Sequence, residues 1–222
     1  MGRAPRADKA GGLYHALNRG NARKKIFRKD ADYEAFERIV AEGLERFSVE
    51  LYAYQWMPSH WHMVLSPQLD GEMSRFIGWL TLTHTQRYHA HHGTTGHGHV
   101  YQGRYKSFPT QDDIHFLTVC RYVERNAVTA KITKRAENYR WGSLWNWRGG
   151  ESAVTMSPWP IRRASNWTAR VNMAVTAKER KSLQRSMQRG VPFGDTKWTE
   201  KTVKQFGLES TVRPRGRPKK TT

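Results

Sequence analysis

The stretch Met57-Pro58-Ser59-His60-Trp61-His62-Met63-Val64-Leu65-Ser66 decides the fold. It follows the alternating run Leu51-Tyr52-Ala53-Tyr54-Gln55-Trp56, and the Pro58-Ser59 pair reads as the turn of a hairpin. In a strand, successive side chains point to opposite faces. Trp61, Met63 and Leu65 therefore share a core side. His60 and His62 share the other, roughly 6.5 Å apart at a rise of about 3.3 Å per residue. That separation lets two neutral imidazoles converge on one divalent cation. A lone His-x-His is more commonly a pair of surface histidines on a half-exposed strand. What the rest of the chain supplies decides between the two.

Working outward, Leu13 to Asn18 reads as a first strand, ended by Arg19-Gly20-Asn21. Tyr33, Phe36, Ile39, Val40, Leu44 and Phe47 recur at helical spacing and predict a helix over residues 30–47. The hairpin follows. A second helix is predicted from Asp70 through Phe76, Ile77 and Leu80 to about Tyr88, and a fourth strand over residues 100–108. The order β-α-β-β-α-β is that of the ferredoxin-like split unit, an α+β fold with helices against one antiparallel sheet.

Thr110-Gln111-Asp112-Asp113 carries a Thr-x-x-Asp capping signature and predicts a third, added helix. At about 100° per residue, Phe116, Val119, Cys120, Val123 and Ala127 form its buried stripe. His115, Thr118, Tyr122 and Asn126 fall on a separate stripe, with Tyr122 and Asn126 stacked one turn apart. A tyrosine above a carboxamide there is placed to react or bind; an amphipathic tyrosine at a core margin is the plainer alternative.

Charge bounds the partners. Among 222 residues, 38 Lys and Arg stand against 19 acidic residues, a net charge of +19, and the pI is near 10.4. Such an imbalance implies a polyanionic partner, nucleic acid before a membrane surface. A membrane partner is not expected: no apolar run approaches the roughly 20 residues of a spanning helix, and no basic helix shows a clean apolar face. The N-terminus lacks an apolar signal region, and the single cysteine, Cys120, fits a reducing cytoplasm. His84, His89, His91, His92, His97 and His99 suggest a second metal site. The glycines at 93, 96 and 98 with two threonines favour a flexible loop instead.

Residues 1–12 are basic and Gly-rich and read as disordered; residues 13–147 form the main domain; residues 148–175, with several prolines and no period, read as a linker. Thr176-Ala177-Lys178-Glu179 is a capping box opening a helix to about Arg189, and a second short helix runs from Trp198 to Phe206. Residues 176–210 thus suggest a small helix-turn-helix-like module. In the tail, residues 211–222, Pro214-Arg215-Gly216-Arg217-Pro218 is similar to an AT-hook, whose arginines, here Arg215 and Arg217, enter a narrow minor groove; a generic basic tail is the alternative.

Taken together, Tyr14-His15, Asn18-Arg19-Gly20-Asn21, Ile26-Phe27, the Met57 to His62 core, Gly103-Arg104-Tyr105-Lys106-Ser107 and Arg121-Tyr122-Val123-Glu124-Arg125-Asn126 resemble the single-tyrosine HUH transposases of the IS200-like family, in particular the REP-associated tyrosine transposases of bacteria. Tyr139-Arg140-Trp141-Gly142-Ser143 is similar to the aromatic segment that closes that family's catalytic domain. Ala127 stands where the family commonly has proline, and Gly142 where it often has serine.

The resemblance implies metal-dependent cleavage and strand transfer of single-stranded DNA at hairpins, through a 5′-phosphotyrosine intermediate. It implies Mg²⁺ or Mn²⁺ on His60, His62 and Asn126, with no other small-molecule cofactor, and Tyr122 as the nucleophile. Asn18, Arg19, Arg104 and Lys106 are the candidates for gripping the single strand. Arg215 and Arg217 are those for adjacent duplex DNA. A cytoplasmic, nucleoid-associated bacterial protein acting as monomer or homodimer is expected. A non-catalytic repeat-DNA-binding protein that keeps the fold is the alternative, and a plain metal-dependent hydrolase is a third reading.

Overall fold

The computed structural model describes residues 6–213. Strands β1 (Leu13–Arg19), β2 (Val49–Met57), β3 (His60–Pro67) and β4 (Lys106–Thr110) form one antiparallel sheet in the order β2-β3-β1-β4. Helix α1 (Asp30–Arg46) joins β1 to β2, and α2 (Glu72–His92) joins β3 to β4. This is the α+β, ferredoxin-like arrangement that the element order implies. The ladder places His62 between Leu17 and Gln55, and His60 between Arg19 and Met57.

The sheet buries both faces, each against different helices. Tyr14, Ala16, Trp61, Met63 and Leu65 pack on Phe36, Ile39, Val40, Phe76 and Ile77 of α1 and α2. On the other face Val64, Phe108 and Tyr52 meet Phe116, Val119, Cys120 and Val123 of α3 (Ile114–Glu124). Each fully buried Val, Leu, Ile, Phe or Met among them contributes about 1.5–3 kcal/mol. Strand β2 also serves both cores, and a bulge shifts its alternation: Leu51 pairs with Leu65 but Ala53 with Val64. The extra residue, Tyr52, changes the alternation, so Leu51, Tyr54 and Trp56 face one core while Tyr52 and Ala53 face the other.

Helix α3 bends at Arg125 into α4 (Asn126–Thr129). Arg125 stays right-handed helical, and Arg125 N–H donates to the Arg121 carbonyl at 3.0 Å, so Tyr122 and Asn126 keep their one-turn spacing. Beyond it come α5 (Ser143–Trp147), α6 (Trp167–Asn172), α7 (Ala177–Arg189), α8 (Thr196–Phe206) and α9 (Glu209–Val212).

Several expectations need correction. The fourth strand begins at Lys106 rather than Val100; Tyr101 reaches the sheet through a single bridge to Gly20. Its hydroxyl is drawn inward to Trp61 Nε1 and His84 Nδ1, at 3.2 and 2.7 Å, which pulls the chain off the strand path. Thr110 ends β4, and the cap of α3 is Asp113, whose carboxylate accepts from His115 N–H at 2.8 Å. Helix α2 runs four residues past Tyr88, so His89, His91 and His92 are helical rather than part of a loop.

Residues 6–12, expected to be disordered, are packed: Ala7 is buried and Asp8 accepts from the N–H groups of Met73 and Ser74 at the start of α2. Residues 148–175 are no free linker. Trp159 Nε1 donates to the Tyr52 carbonyl at 2.7 Å, and the fully buried Trp167 donates to Glu124 at 2.6 Å. Trp141 and Trp167 are packing residues, Trp141 lying flat on Tyr33 at 4.6 Å.

The helices of residues 176–210 dock on this body instead of standing apart. Phe193 runs parallel to the edge of β4 and is bonded to Pro109 and Gln111. Arg215 and Arg217 lie outside the described residues. Among the described residues, no helix is long and apolar enough to cross a membrane.

Candidate active site

Hairpin β2–β3, strand β1 and helix α3 converge on a cleft of about 700 Å³ lined by His60, His62, Tyr122, Asn126, Asn18, Arg19, Arg104 and Lys106. All eight of the candidate side chains that fall within the described residues meet there. The pleat puts His60, His62 and Val64 on the α3 side of β3, and packing of Val64 on α3 sets the distance of the helix from the histidines. The His60 and His62 rings stand edge to face at 5.0 Å, and the Tyr122 ring meets His62 edge to face at 6.0 Å.

His62 is anchored from behind. Its Nδ1 lies 2.9 Å from His15 Nε2, and both rings are buried. His15 Nδ1, at the far end of this pair, is buried without a hydrogen-bond partner. Burial brings the His15 pKa down to about 3. It brings that of His60 to about 4, with the Arg19 guanidinium adding to the effect. His62 falls well below the usual range for the same reason, helped by His60, His15 and Arg19. All three are therefore neutral imidazoles at neutral pH, the form that ligates metal. Burial raises the Tyr122 pKa, against the opposing pull of Arg19 and Arg180. Its phenol is thus protonated at rest and needs activation to attack.

The basic candidates divide by role. Arg19 stands opposite His60 in the ladder, and Lys106 opposite Leu17. Arg104 and Lys106 are exposed at the rim. Asn18 is buried and already engaged: its Nδ2 donates to the Gly103 carbonyl at 3.3 Å and its Oδ1 accepts from Arg19 N–H. It holds the cleft-forming loop in place. Gly142 bridges to Gln55, and a Cβ on Gly142 would come within 2.5 Å of Gln55 Oε1. A side chain at position 142 would therefore require Gln55 to shift.

One wall of the cleft has no signal in the sequence. Gln184, Met187 and Gln188 of α7 line the cleft opposite the histidines. Helix α7 is clamped there by Arg121, beside Tyr122, whose Nη2 contacts both carboxylate oxygens of Glu179 at 2.9 Å. The capping box marked the start of α7, but no local signal says where a helix docks. A separate group, Asp32, His91 and His92, brings ligand atoms within 4.8 Å of one another on α1 and α2, on the opposite side of the sheet.

The profile of the family described as "Transposase IS200 like" matches residues 9–126, more than half of the chain. A solved structure described as the REP-associated tyrosine transposase bound to a REP hairpin has a similar fold, with a TM-score of 0.56 at 14% identity over 73% of this chain and 95% of that one. A structure of a putative transposase from Deinococcus radiodurans scores 0.40 at 17% identity, over 60% of this chain and 94% of that one. No curated protein matches this sequence. The profile spans both histidines, the tyrosine and the carboxamide of the cleft, and on that ground the chain belongs to the IS200-like transposase family.

Proposed function

We propose that the cleft cleaves and rejoins single-stranded DNA at hairpin, REP-like sequences, with Tyr122 as nucleophile and a 5′-phosphotyrosine intermediate. The observation that carries this reading is the contact of the Tyr122 ring with His62 inside a cleft rimmed by Arg19, Arg104 and Lys106. The similar structure named above is described as bound to a REP hairpin, which supports the choice of substrate. The donor set fits a divalent metal: two neutral imidazoles and a carboxamide oxygen share one cleft. Held by His60, His62 and Asn126, Mg²⁺ or Mn²⁺ supplies polarisation of the scissile phosphate and stabilises the charge that develops on it.

The chain's own residues do the rest. The bond from Tyr122 Oη to phosphorus forms as the bond from phosphorus to the 3′ oxygen breaks. The phenolic proton passes to solvent, and the departing oxygen takes one up as a 3′-hydroxyl. A second 3′-hydroxyl then displaces Tyr122 with no outside energy source, because the phosphodiester energy is kept in the phosphotyrosine. Arg19, Arg104 and Lys106 hold the flanking phosphates. His15 positions His62: with His15 Nε2 accepting a hydrogen bond from His62 Nδ1–H, the His62 Nε2 lone pair is left for the metal. The partners of this reading are single-stranded hairpins and, through Arg215 and Arg217, neighbouring duplex.

Tyr122→Phe tests the reading. Only a hydroxyl is lost at a half-buried position, so hairpin binding should stay nearly unchanged while cleavage and the covalent adduct disappear. Undiminished cleavage would favour the hydrolase reading. Absence of cleavage by the wild-type protein across hairpins and metals would favour the binding protein.

A further inference from the structure

We propose that Asp32, His91 and His92 form a second metal site, of the zinc class, that ties the first turn of α1 to the last turn of α2. The three residues offer a carboxylate oxygen and two imidazole nitrogens, all within 4.8 Å of one another. Two imidazoles and one carboxylate are a donor set for zinc, whereas magnesium prefers oxygen ligands alone.

Asp32 Oδ1 and His92 Nε2 are 3.9 Å apart, with both side chains mostly buried. That is too long for a hydrogen bond. Two ligands each about 2.1 Å from one ion stand roughly 3–4 Å apart, so the gap has the span of a shared cation.

The ligands are also held from behind. Asp32 Oδ2 accepts from the N–H groups of Arg28 and Lys29, at 2.7 and 3.2 Å, which orients the carboxylate and leaves Oδ1 for the gap. His92 packs on the Tyr88 ring at 4.3 Å. His91 is exposed and free to adjust, with its ring 4.9 Å from that of His92. The positive charges of Arg28 and Lys29 are close enough to act on His92, so they oppose a cation and keep its affinity moderate. The site lies immediately before Gly93 and the loop whose far end, Gln102 to Arg104, forms a wall of the cleft. An ion there would brace that loop at its origin. None of this depends on the chemistry proposed for the cleft, whose histidines lie on the other face of the sheet.

The test is Zn²⁺ titration of the full chain as His60→Ala/His62→Ala, by calorimetry, with thermal unfolding alongside. One equivalent should bind and raise the melting temperature. Adding His91→Gln should weaken that binding, and adding His91→Gln/His92→Gln should abolish both the binding and the thermal shift. His91 is exposed, so its single variant decides the matter if the double variant does not fold. No zinc bound by His60→Ala/His62→Ala would overturn the proposal. So would an equivalent that survives the His91 and His92 substitutions, or one that disappears instead with His89→Gln/His97→Gln/His99→Gln, the mark of zinc scattered over the loop histidines.

Discussion

His62 and His84 are both buried imidazoles with depressed proton affinity, His84 to about 3 and His62 well below its usual range, yet they lie on opposite faces of one sheet. His84 is sealed: its Nδ1 meets the Tyr101 hydroxyl at 2.7 Å, and the rings of Phe27 and Phe36 close over it. His62 is bonded to His15 on one side and opens on the other to a cleft holding Tyr122. Burial and a lowered pKa therefore do not by themselves mark the histidine proposed as a metal ligand. Access to a cleft shared with other reactive groups does.

The largest effect that can break this comparison is an exchange of consequences. His60→Ala or His62→Ala should cut adduct formation by at least ~100-fold, more than the 10–100-fold typical of losing a residue behind a ligand. Excess chelator should do the same to the wild type. Asn126→Ala should be milder, since water replaces one oxygen ligand. His84→Ala should do the reverse: a loss of about 2 kcal/mol or more in stability from the cavity, with adduct yield per folded molecule preserved. Denaturant melts read beside adduct gels check both arms.

His15 comes next, a residue as buried as His84 but bonded to a cleft histidine. His15→Leu should weaken Mn²⁺ binding ~10–100-fold. His15→Gln, whose Oε1 stands where the imidazole Nε2 was, should recover most of it. Equal Mn²⁺ affinity in His15→Leu and wild type would reduce His15 to a packing residue.

A last effect is on the pH dependence of stability. His84 titrates near 3 folded against 6.5 unfolded, because burial penalises its charged form. Between those values the unfolded chain binds more protons, so the His84 contribution is present above pH 6.5 and is lost as pH falls towards 3. His84→Phe should lose stability less steeply than the wild type from pH 6.5 to 4. Parallel curves from chemical denaturation would contradict the assignment.

Much of this was legible in the sequence because it rests on local periodicity. The period of two put His60 and His62 together on one face of β3, and the period of 3.6 put Tyr122 above Asn126 with Phe116, Val119, Cys120 and Val123 behind them. What was illegible depends on contacts between distant segments. The start of β4 moved because Tyr101 bonds inward to Trp61 and His84, 40 and 17 residues away. The supposed linker is held by Trp159 and Trp167, whose indole N–H groups find acceptors on β2 and α3. The α7 wall depends on the pairing of Arg121 with Glu179, 58 residues apart. The bulge at Tyr52 is the intermediate case, a single extra residue that simple alternation reads straight through.

The central claim is that Tyr122 becomes covalently attached to DNA. Its most direct test is to trap the wild-type protein on a single-stranded hairpin oligonucleotide with Mn²⁺, digest with trypsin and nuclease, and map the modified peptide by mass spectrometry. A nucleotide 5′-phosphate is expected on Tyr122 in the fragment Tyr122-Val123-Glu124-Arg125, formed in step with release of a 3′-hydroxyl strand. Cleaved oligonucleotide with unmodified Tyr122, or the nucleotide on any other residue, would contradict it.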